Sequence, residues 1–137
     1  HYRQTVAAVR ARHPEAIVVH VTLPLATEPS KLRYYMNTVR GIPTTRDANA
    51  RRNEYNEMLR AAFAGKEPVF DLAAVESTHA DGTLEYGMRD GARVPALAPE
   101  WSADGAHLNA AGRKHVAEQF LATLATLGEA PVVHAQK

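Results

Sequence analysis

The chain has 137 residues, no cysteine, and charges that nearly cancel, with 16 Lys and Arg against 15 Asp and Glu. This length limits it to one domain with a modest core, and the interspersed charges argue against a nucleic-acid partner, which needs a clustered basic patch. The lack of cysteine excludes disulfides and thiolate metal sites, and no apolar run is long enough to span a membrane.

The first elements expected along the chain are a helix and a strand. Apolar residues recur at helical spacing over 2–12, and Pro14 closes that segment. Residues 16–23 form a nearly continuous apolar run that is rich in β-branched side chains. Such a run is typical of a strand that is buried on both faces of a parallel sheet.

A second helix and a second strand are expected next. Residues 24–48 are predicted to be irregular, because prolines and a glycine interrupt them. A helix is predicted over about 49–64, with Gly65 as its stop, on the apolar stripe Tyr55, Met58, Leu59, Ala62 and Phe63. Residues 68–75 have the composition of another buried strand, so the order strand, helix, strand favours a right-handed parallel crossover and an α/β fold.

The last third is predicted to contain a long loop and a closing helix. Residues 76–108 hold several glycines and no clear periodicity, and they follow a predicted strand, where open α/β sheets place their sites. Asn109 is positioned to cap a helix over 110–127, which Gly128 ends. Residues 129–137 are expected to be a flexible tail.

An acid and a histidine stand three residues apart, directly before that closing helix. The segment is Asp104-Gly-Ala-His107-Leu-Asn109, and a tight turn brings positions i and i+3 together. A serine hydrolase needs an imidazole that takes the proton of the nucleophile and a carboxylate that fixes the imidazole tautomer. His107 is therefore a candidate general base and Asp104 its orienting partner; the alternative is an ordinary Asp-Gly turn beside a surface histidine.

On these residues the chain resembles the SGNH (GDSL-type) hydrolases. Their last motif is Asp-x-x-His, often continued as His-Leu-Asn and followed by a glycine and the closing helix, and residues 101–112 are Trp-Ser-Ala-Asp-Gly-Ala-His-Leu-Asn-Ala-Ala-Gly. A Val-Val-x-Val-Thr-Leu-Pro strand, an Asn-Glu-Tyr-Asn helix segment at 53–56 and a Val-Phe-Asp-Leu strand are also similar. The resemblance covers most of 1–127. It implies a flavodoxin-like α/β/α sandwich, ester hydrolysis without a cofactor, His107 as base and Asp104 as its partner.

The family's nucleophile has no counterpart in this sequence. Its Gly-Asp-Ser motif and its oxyanion-hole motifs, a Gly and Gly-x-Asn-Asp, lie earlier in the family's chain and do not occur here. Ser102 is too close along the loop to face His107, and neither Ser30 nor Ser77 lies in a strained strand-to-helix turn. Residues 1–128 are therefore expected to be the C-terminal part of an SGNH-like domain, whose serine lies on a missing N-terminal segment.

Two further features suggest that the chain is part of a larger domain. Two predicted strands are few for an α/β sheet, so strand edges and apolar surface are expected to be uncovered. The chain begins with His1 rather than Met, so we expect its natural start and any targeting segment to lie upstream. A non-catalytic remnant or a partner-binding half-domain is the alternative to a small-molecule ester hydrolase.

Other polar residues support weaker expectations. No metal site is predicted, because no His-x-x-x-His or His-Glu-x-x-His pair occurs, although a metal-dependent hydrolase stays a third possibility. His20, inside a predicted strand, is expected to be a satisfied, partly buried side chain. Asp71 and Glu76 are expected either to line the site or to bond loop backbone.

The long loops contain the remaining candidates. Asn37, Arg40 and Arg46 are candidate contacts for an anionic or sugar substrate, with a solvated loop as the alternative. Trp101 is expected either to wall an acyl or sugar pocket or to cover the closing helix.

Overall fold

The computed structural model describes residues 1–128 as a mixed α/β structure, which confirms the predicted fold class at that level. Its helices are α1 Tyr2–Arg12, α2 Lys31–Val39, α3 Thr45–Phe63, α4 Leu72–Ser77 and α5 Ala110–Gly128. Its strands are β1 His20–Val21, β2 Val69–Phe70, β3 Tyr86–Arg89 and β4 Ala92–Pro95, and a 3₁₀ helix spans Pro99–Trp101. The expected tail 129–137 lies outside the described residues.

β1 and β2 form the parallel pair that the sequence predicts. His20 lies opposite Val69, and Val21 lies opposite Phe70. Each strand has only two residues, whereas the apolar runs predicted about eight. The strand predicted over 68–75 is therefore wrong beyond Phe70, because Asp71 accepts the backbone N–H of Ala74 and starts α4 instead.

β1 is not buried on both faces, so that prediction is wrong. His20 and Thr22 are buried, whereas Val21 and Leu23 on the alternate face are 42% and 39% exposed. Within residues 1–128, β2 is the only strand that pairs with β1. Two short strands cover too little area to bury both faces, and one apolar face stays open to solvent.

The two segments predicted to be irregular both contain regular structure. Ser30 caps α2 by accepting the backbone N–H of Arg33 at 3.3 Å. β3 and β4 form an antiparallel hairpin, whose turn residues Asp90 and Gly91 have φ values of 51° and 80°. Positive φ at both positions is what a two-residue type I′ turn requires, and Asp-Gly is its usual sequence.

α3 starts at Thr45, four residues before the predicted start, because Thr44 and Asp47 form a capping box. Its predicted apolar stripe is confirmed at Leu59 and Phe63, which are buried, and is wrong at Met58, which is 63% exposed.

Two buried amides on α3 hold the segment that follows β1. The side chain of Asn56 accepts from the backbone N–H of Leu23 at 2.7 Å and donates to its carbonyl at 3.1 Å. Asn49, two turns earlier, makes the same pair of bonds to Ala26 at 3.0 and 2.7 Å. These amides take the place of a neighbouring strand, so the backbone leading to residue 27 is fixed.

The two terminal helices of the described region occur where the spacing predicts them. α1 has no buried residue. α5 is only partly covered: Phe120 meets Phe70 edge-on at 5.0 Å between ring centroids, but Leu124 is 39% exposed. The buried core beside α5 is small and consists of Leu25, Ala73 and Leu97, with Trp101 and Leu108 packed against it.

Candidate functional site

The side chains of Asp104 and His107 contact each other. Nδ1 of His107 lies 2.7 Å from Oδ2 of Asp104. The other carboxylate oxygen, Oδ1, accepts the backbone N–H groups of Ala106 and His107 at 2.9 and 2.8 Å. One carboxylate therefore closes the turn and orients the imidazole ring that the turn presents.

The same contacts set the charge of the carboxylate. Hydrogen bonds from the backbone N–H of Ala106 and from His107 lower the pKa of Asp104 from 3.8 to about 2. An ionised carboxylate at Nδ1 favours the tautomer with the proton on that nitrogen, which leaves Nε2 as an acceptor. No group within residues 1–128 hydrogen-bonds to Nε2, and the His107 side chain is 80% exposed. Nε2 is thus open to a group that approaches from outside the described chain.

The turn is fixed to the body of the protein at several points. The backbone N–H of Thr27 donates to the carbonyl of Gly105 at 2.9 Å, and the N–H of Gly105 donates to Oγ of Ser102 at 2.7 Å. Gly105 has φ +93°, and a Cβ there would lie 3.0 Å from Oγ1 of Thr27. Leu108 packs against the buried core. The imidazole is therefore mounted on a rigid loop.

Asn109 joins this loop to α5, as the sequence predicts. Its Oδ1 accepts the backbone N–H of Gly112 at 2.8 Å, and its Nδ2 donates to the carbonyls of Glu100 and Ser102 at 2.7 and 3.1 Å. A Cβ at Gly112 would overlap the carbonyl oxygen of Trp101. This glycine therefore lets α5 approach the 3₁₀ helix closely.

Trp101 takes the second of its two expected roles. Its ring stacks on His115 of α5 at 4.6 Å, and its Nε1 donates to the carbonyl of Thr78 at 2.8 Å. The indole therefore covers the closing helix and ties it to the end of α4.

Neither Asp71 nor Glu76 belongs to the Asp104–His107 site. Asp71 is paired with Arg60 at 2.7 Å and caps α4. Glu76 is buried, accepts the backbone N–H of Leu25 at 2.6 Å, and has a pKa raised by that burial. Both carboxylates bond loop or helix backbone, which is the second of the two expected roles.

The three serines have structural contacts. Oγ of Ser102 accepts from Gly105 within the turn, and Ser77 is buried and donates to a backbone carbonyl. Ser30 caps α2. No serine Oγ of residues 1–128 hydrogen-bonds to the ring of His107.

A polar cavity of about 390 Å³ lies beside the turn. Asn37, one of the expected substrate contacts, lines it. Arg46 is instead paired with Glu28 at 2.7 Å, and Arg40 is the C-cap residue that follows α2. Sequence reasoning missed Thr27, Glu28 and Arg33 on the wall of the cavity. Pro24 and Pro29 indicate a loop here, but they give no indication that the loop lies beside residue 104.

The other histidines and the helices give no second candidate site in the described part of the chain. His20 is fully buried, with its ring nitrogens bound by Tyr2 at 2.7 Å and Glu67 at 2.6 Å, so it is satisfied, as expected, but more deeply buried. Over residues 1–128, no three His, Asp or Glu side chains converge as a metal site would require. None of the helices there is both long and apolar enough to cross a membrane.

No protein-family model and no curated protein matches the chain. Among solved structures, the chain is similar to the salicylyl-acyltransferase SsfX3 from a tetracycline biosynthetic pathway, with 21% sequence identity and a TM-score of 0.37. The similarity covers 93% of this chain but 31% of that chain. A TM-score this low does not establish a shared fold.

Proposed function

We propose that residues 1–128 form the C-terminal part of an SGNH-type serine ester hydrolase with a flavodoxin-like sandwich. The 2.7 Å contact between Nδ1 of His107 and the Asp104 carboxylate carries this proposal. It leaves Nε2 free and exposed on a rigid loop, and that is the geometry a general base needs. The nucleophile and the oxyanion-hole donors belong to a segment outside these 137 residues.

In the complete enzyme, the serine attacks the ester carbonyl while Nε2 of His107 takes its proton. Asp104 stays ionised and stabilises the imidazolium that forms. The imidazolium then protonates the leaving alcohol, and an acyl-enzyme remains. Water, activated by the same imidazole, releases the acid and restores the serine. Backbone donors of the missing segment hold the oxyanion.

An uncovered apolar groove next to His107 supports the proposal that another segment packs there. The groove encloses about 320 Å³ between the β1–β2 pair and α5, and its walls include Val21, Phe70, Leu108 and Phe120. Leu108 directly follows His107, so whatever covers the groove lies close to the imidazole. We assign this place to the segment that carries the serine, because it would bury Val21 and bring a nucleophile near Nε2.

Serine-directed labelling tests the proposal. The full-length product should react with a fluorophosphonate probe, and the His107→Ala variant should lose most labelling because its serine is no longer activated. The 137-residue chain alone should show no turnover of an activated acetyl ester above background. A burst of product from this chain, or full labelling of the variant, would contradict the proposal that the catalytic residues are divided between this chain and the missing segment.

The same groove is the basis of the second candidate, a non-catalytic half-domain that binds another protein. The coding sequence upstream of His1 separates the two: a Gly-Asp-Ser motif there supports the hydrolase, and a start codon at this position supports the binding module. Insensitivity of the activity to a chelator would separate the serine hydrolase from a metal-dependent one.

A further inference from the structure

Helix α2 presents an apolar stripe to solvent. Four residues of the stripe recur at helical spacing, and a fifth follows just past the end of the helix. Each of these side chains is between 41% and 70% exposed: Leu32, Tyr35, Met36, Val39 and Ile42. Exposed apolar residues that occur singly are ordinary, whereas a contiguous patch of large apolar side chains indicates a binding surface.

The helix is held with this stripe facing outward. Tyr34 and Asn37, on the opposite side of α2, are its two half-buried residues, and the guanidinium of Arg46 stacks on the Tyr34 ring at 4.0 Å. Ser30 caps the first turn, and the backbone N–H of Ile42 donates to the carbonyl of Asn37 at 2.9 Å beyond the last turn. Because the helix is already formed, a partner of the stripe has no ordering cost to overcome.

Cations border the stripe on both sides. At helical spacing, Lys31 lies on one side of it, and Arg33 and Arg40 lie on the other. Within the described part of the chain, none of these three side chains pairs with a carboxylate. No acidic residue occurs between Glu28 and Asp47. Positive charge is therefore concentrated at this face, in a chain whose charges otherwise nearly cancel.

The charges and the packing of α2 decide which partner fits. In an antiparallel pair of two copies, Lys31 of one α2 would lie near Arg40 of the other, and like charges repel. A groove on another protein encloses a helix from several sides, but one side of α2 already packs on this chain.

A membrane surface needs only the outer side of the helix. Its headgroup region accepts an apolar stripe, and long cationic side chains at the borders of the stripe reach anionic phosphates. The upstream segment that we place on the apolar groove has its own surface, because no residue of α2 lines that groove.

We infer that α2 docks on an anionic lipid surface, with its apolar stripe among the headgroups and its three cations on the phosphates. Docking needs no nucleophile, so the inference is independent of the proposed hydrolase function and is measurable on the 137-residue chain. Arg33 and Asn37 of α2 line the same cavity as Asp104, so docking would hold the Asp104–His107 turn near the lipid.

Co-sedimentation with lipid vesicles tests the role of charge. The chain should bind phosphatidylcholine vesicles that contain about 30% phosphatidylserine roughly 100-fold more tightly than pure phosphatidylcholine, since each cation contributes about fivefold. Lys31→Gln with Arg40→Gln should weaken binding to the mixed vesicles about 25-fold. Arg12→Gln with Lys66→Gln removes the same charge from other exposed positions and should weaken it about twofold at most.

An environment-sensitive dye tests the role of the stripe. The chain has no cysteine, so one introduced cysteine is enough to place the dye. On Val39→Cys, its emission should shift to shorter wavelength when mixed vesicles are added, because the dye enters an apolar region. Leu121→Cys on α5 is the matched control, with 64% exposure against 70% for Val39, and its emission should not shift.

A single polar substitution in the stripe gives a second measurement. Leu32→Gln should weaken vesicle binding about tenfold by removing apolar area from the contact. Leu84→Gln, at a position that is 63% exposed, should bind like the unchanged chain. Both side chains are exposed, so urea denaturation should show unchanged folding in each variant.

Four results would overturn the inference. The first is no binding to the mixed vesicles at about 1 mM lipid, whether or not α2 binds a second copy or another protein instead. The second is equal binding to neutral and anionic vesicles, and the third is an equal emission shift at Leu121→Cys. The fourth is vesicle binding by the 137-residue chain that the full-length product lacks, which would mean that the upstream segment covers α2.

Discussion

Two histidine–carboxylate pairs in this protein have nearly the same geometry and opposite surroundings. His107 contacts Asp104 at 2.7 Å, and His20 contacts Glu67 at 2.6 Å. The His107 side chain is 80% exposed and the His20 side chain is 0% exposed. His20 also stacks on Phe63 at 3.8 Å between ring centroids.

The difference lies in the second ring nitrogen. In His20, Nδ1 is bound by the hydroxyl of Tyr2 at 2.7 Å, so both nitrogens are engaged. In His107, Nε2 has no partner within the described chain. A contact between a carboxylate and an imidazole therefore does not by itself indicate catalysis. The same contact only stabilises the fold when neither ring nitrogen is left to accept a proton.

His79 follows the pattern of His20. Glu100 lies 2.6 Å from its Nδ1 and Glu85 lies 3.0 Å from its Nε2, and the hydrogen bonds that these carboxylates accept raise the pKa of His79. Both nitrogens are again engaged, so this cluster joins the loop after α4 to the 3₁₀ helix and gives no free base.

The comparison of the two pairs predicts its largest effect for His107→Ala, which should lose activity. In the proposed full-length hydrolase, we expect this variant to lose at least about 10⁴-fold in kcat. The free energy of unfolding should stay within about 0.5 kcal/mol, because the side chain is mostly exposed. Steady-state kinetics and urea denaturation measure the two quantities. Retained turnover would move the general base to another residue.

Asp104→Asn should come next, with a loss of about 10³–10⁴-fold in kcat. An amide at this position is able to donate to Nδ1, which would stabilise the wrong imidazole tautomer. The measurement is kcat at neutral pH with an activated ester. Glu67→Gln is the matching change at the buried pair, and it should leave kcat within about twofold. Equal losses in both variants would mean that the two pairs do not differ in function.

His20→Ala should mainly affect stability. Its buried ring stacks on Phe63 and binds Tyr2 and Glu67, so its removal leaves a cavity and takes away the partner of the Tyr2 hydroxyl. We expect a decrease of about 3 kcal/mol in the free energy of unfolding. Urea denaturation of the 137-residue chain measures it, with the exposed His13→Ala as control. An unchanged midpoint would mean that the network does not stabilise the fold.

Gly105→Ala should have a smaller effect, confined to the Asp104–His107 turn. Gly105 and Gly82 both have positive φ, +93° and +84°, but only a Cβ at Gly105 would press on Thr27. Either alanine variant should lower the free energy of unfolding by about 1 kcal/mol through backbone strain. Only Gly105→Ala should also reduce kcat of the proposed full-length hydrolase, and an equal reduction in Gly82→Ala would argue against this contact.

Acid titration should give the smallest effect and the same pH window for both pairs. Backbone and His107 hydrogen bonds lower the pKa of Asp104 from 3.8 to about 2, and hydrogen bonds from Arg10 and His20 lower that of Glu67 from 4.5 to about 2. Because each folded-state pKa lies below its unfolded-state value, each carboxylate stabilises the fold above about pH 4.5.

That contribution is lost as the pH falls to about 2. Urea denaturation at several pH values should therefore show a shallower decline in Glu67→Gln and in Asp104→Asn than in the unchanged chain. A decline of unchanged slope in either variant would show that the corresponding ion pair does not contribute.

Local patterns predicted α1, α5 with its Asn109 cap, and the contact between Asp104 and His107, because each depends on residues within a turn or two. The hairpin was missed although Asp90-Gly91 carries its usual turn signal. α2 was missed although its residues are amphipathic at helical spacing, because prolines before it and a glycine and a proline after it predicted an irregular segment.

The polar cavity depends on contacts that no local pattern contains. Glu28 and Arg46 are 18 residues apart, and Thr27 meets Gly105 across 78 residues. Asn49 and Asn56 are polar residues of the kind found on an exposed helix face. They are buried because the segment after β1 lies against them. Burial of a polar side chain depends on what packs over it, and sequence spacing does not give that.

The sequence by itself predicted the Asp104–His107 pairing and the helix that supports it, because the first and last residues of a four-residue tight turn lie close together. Only the tertiary structure decided which of the histidine–acid pairs keeps a free nitrogen, and which loop forms the wall beside it. Those properties depend on solvent access and on contacts between distant parts of the chain, and both arise only when the elements pack.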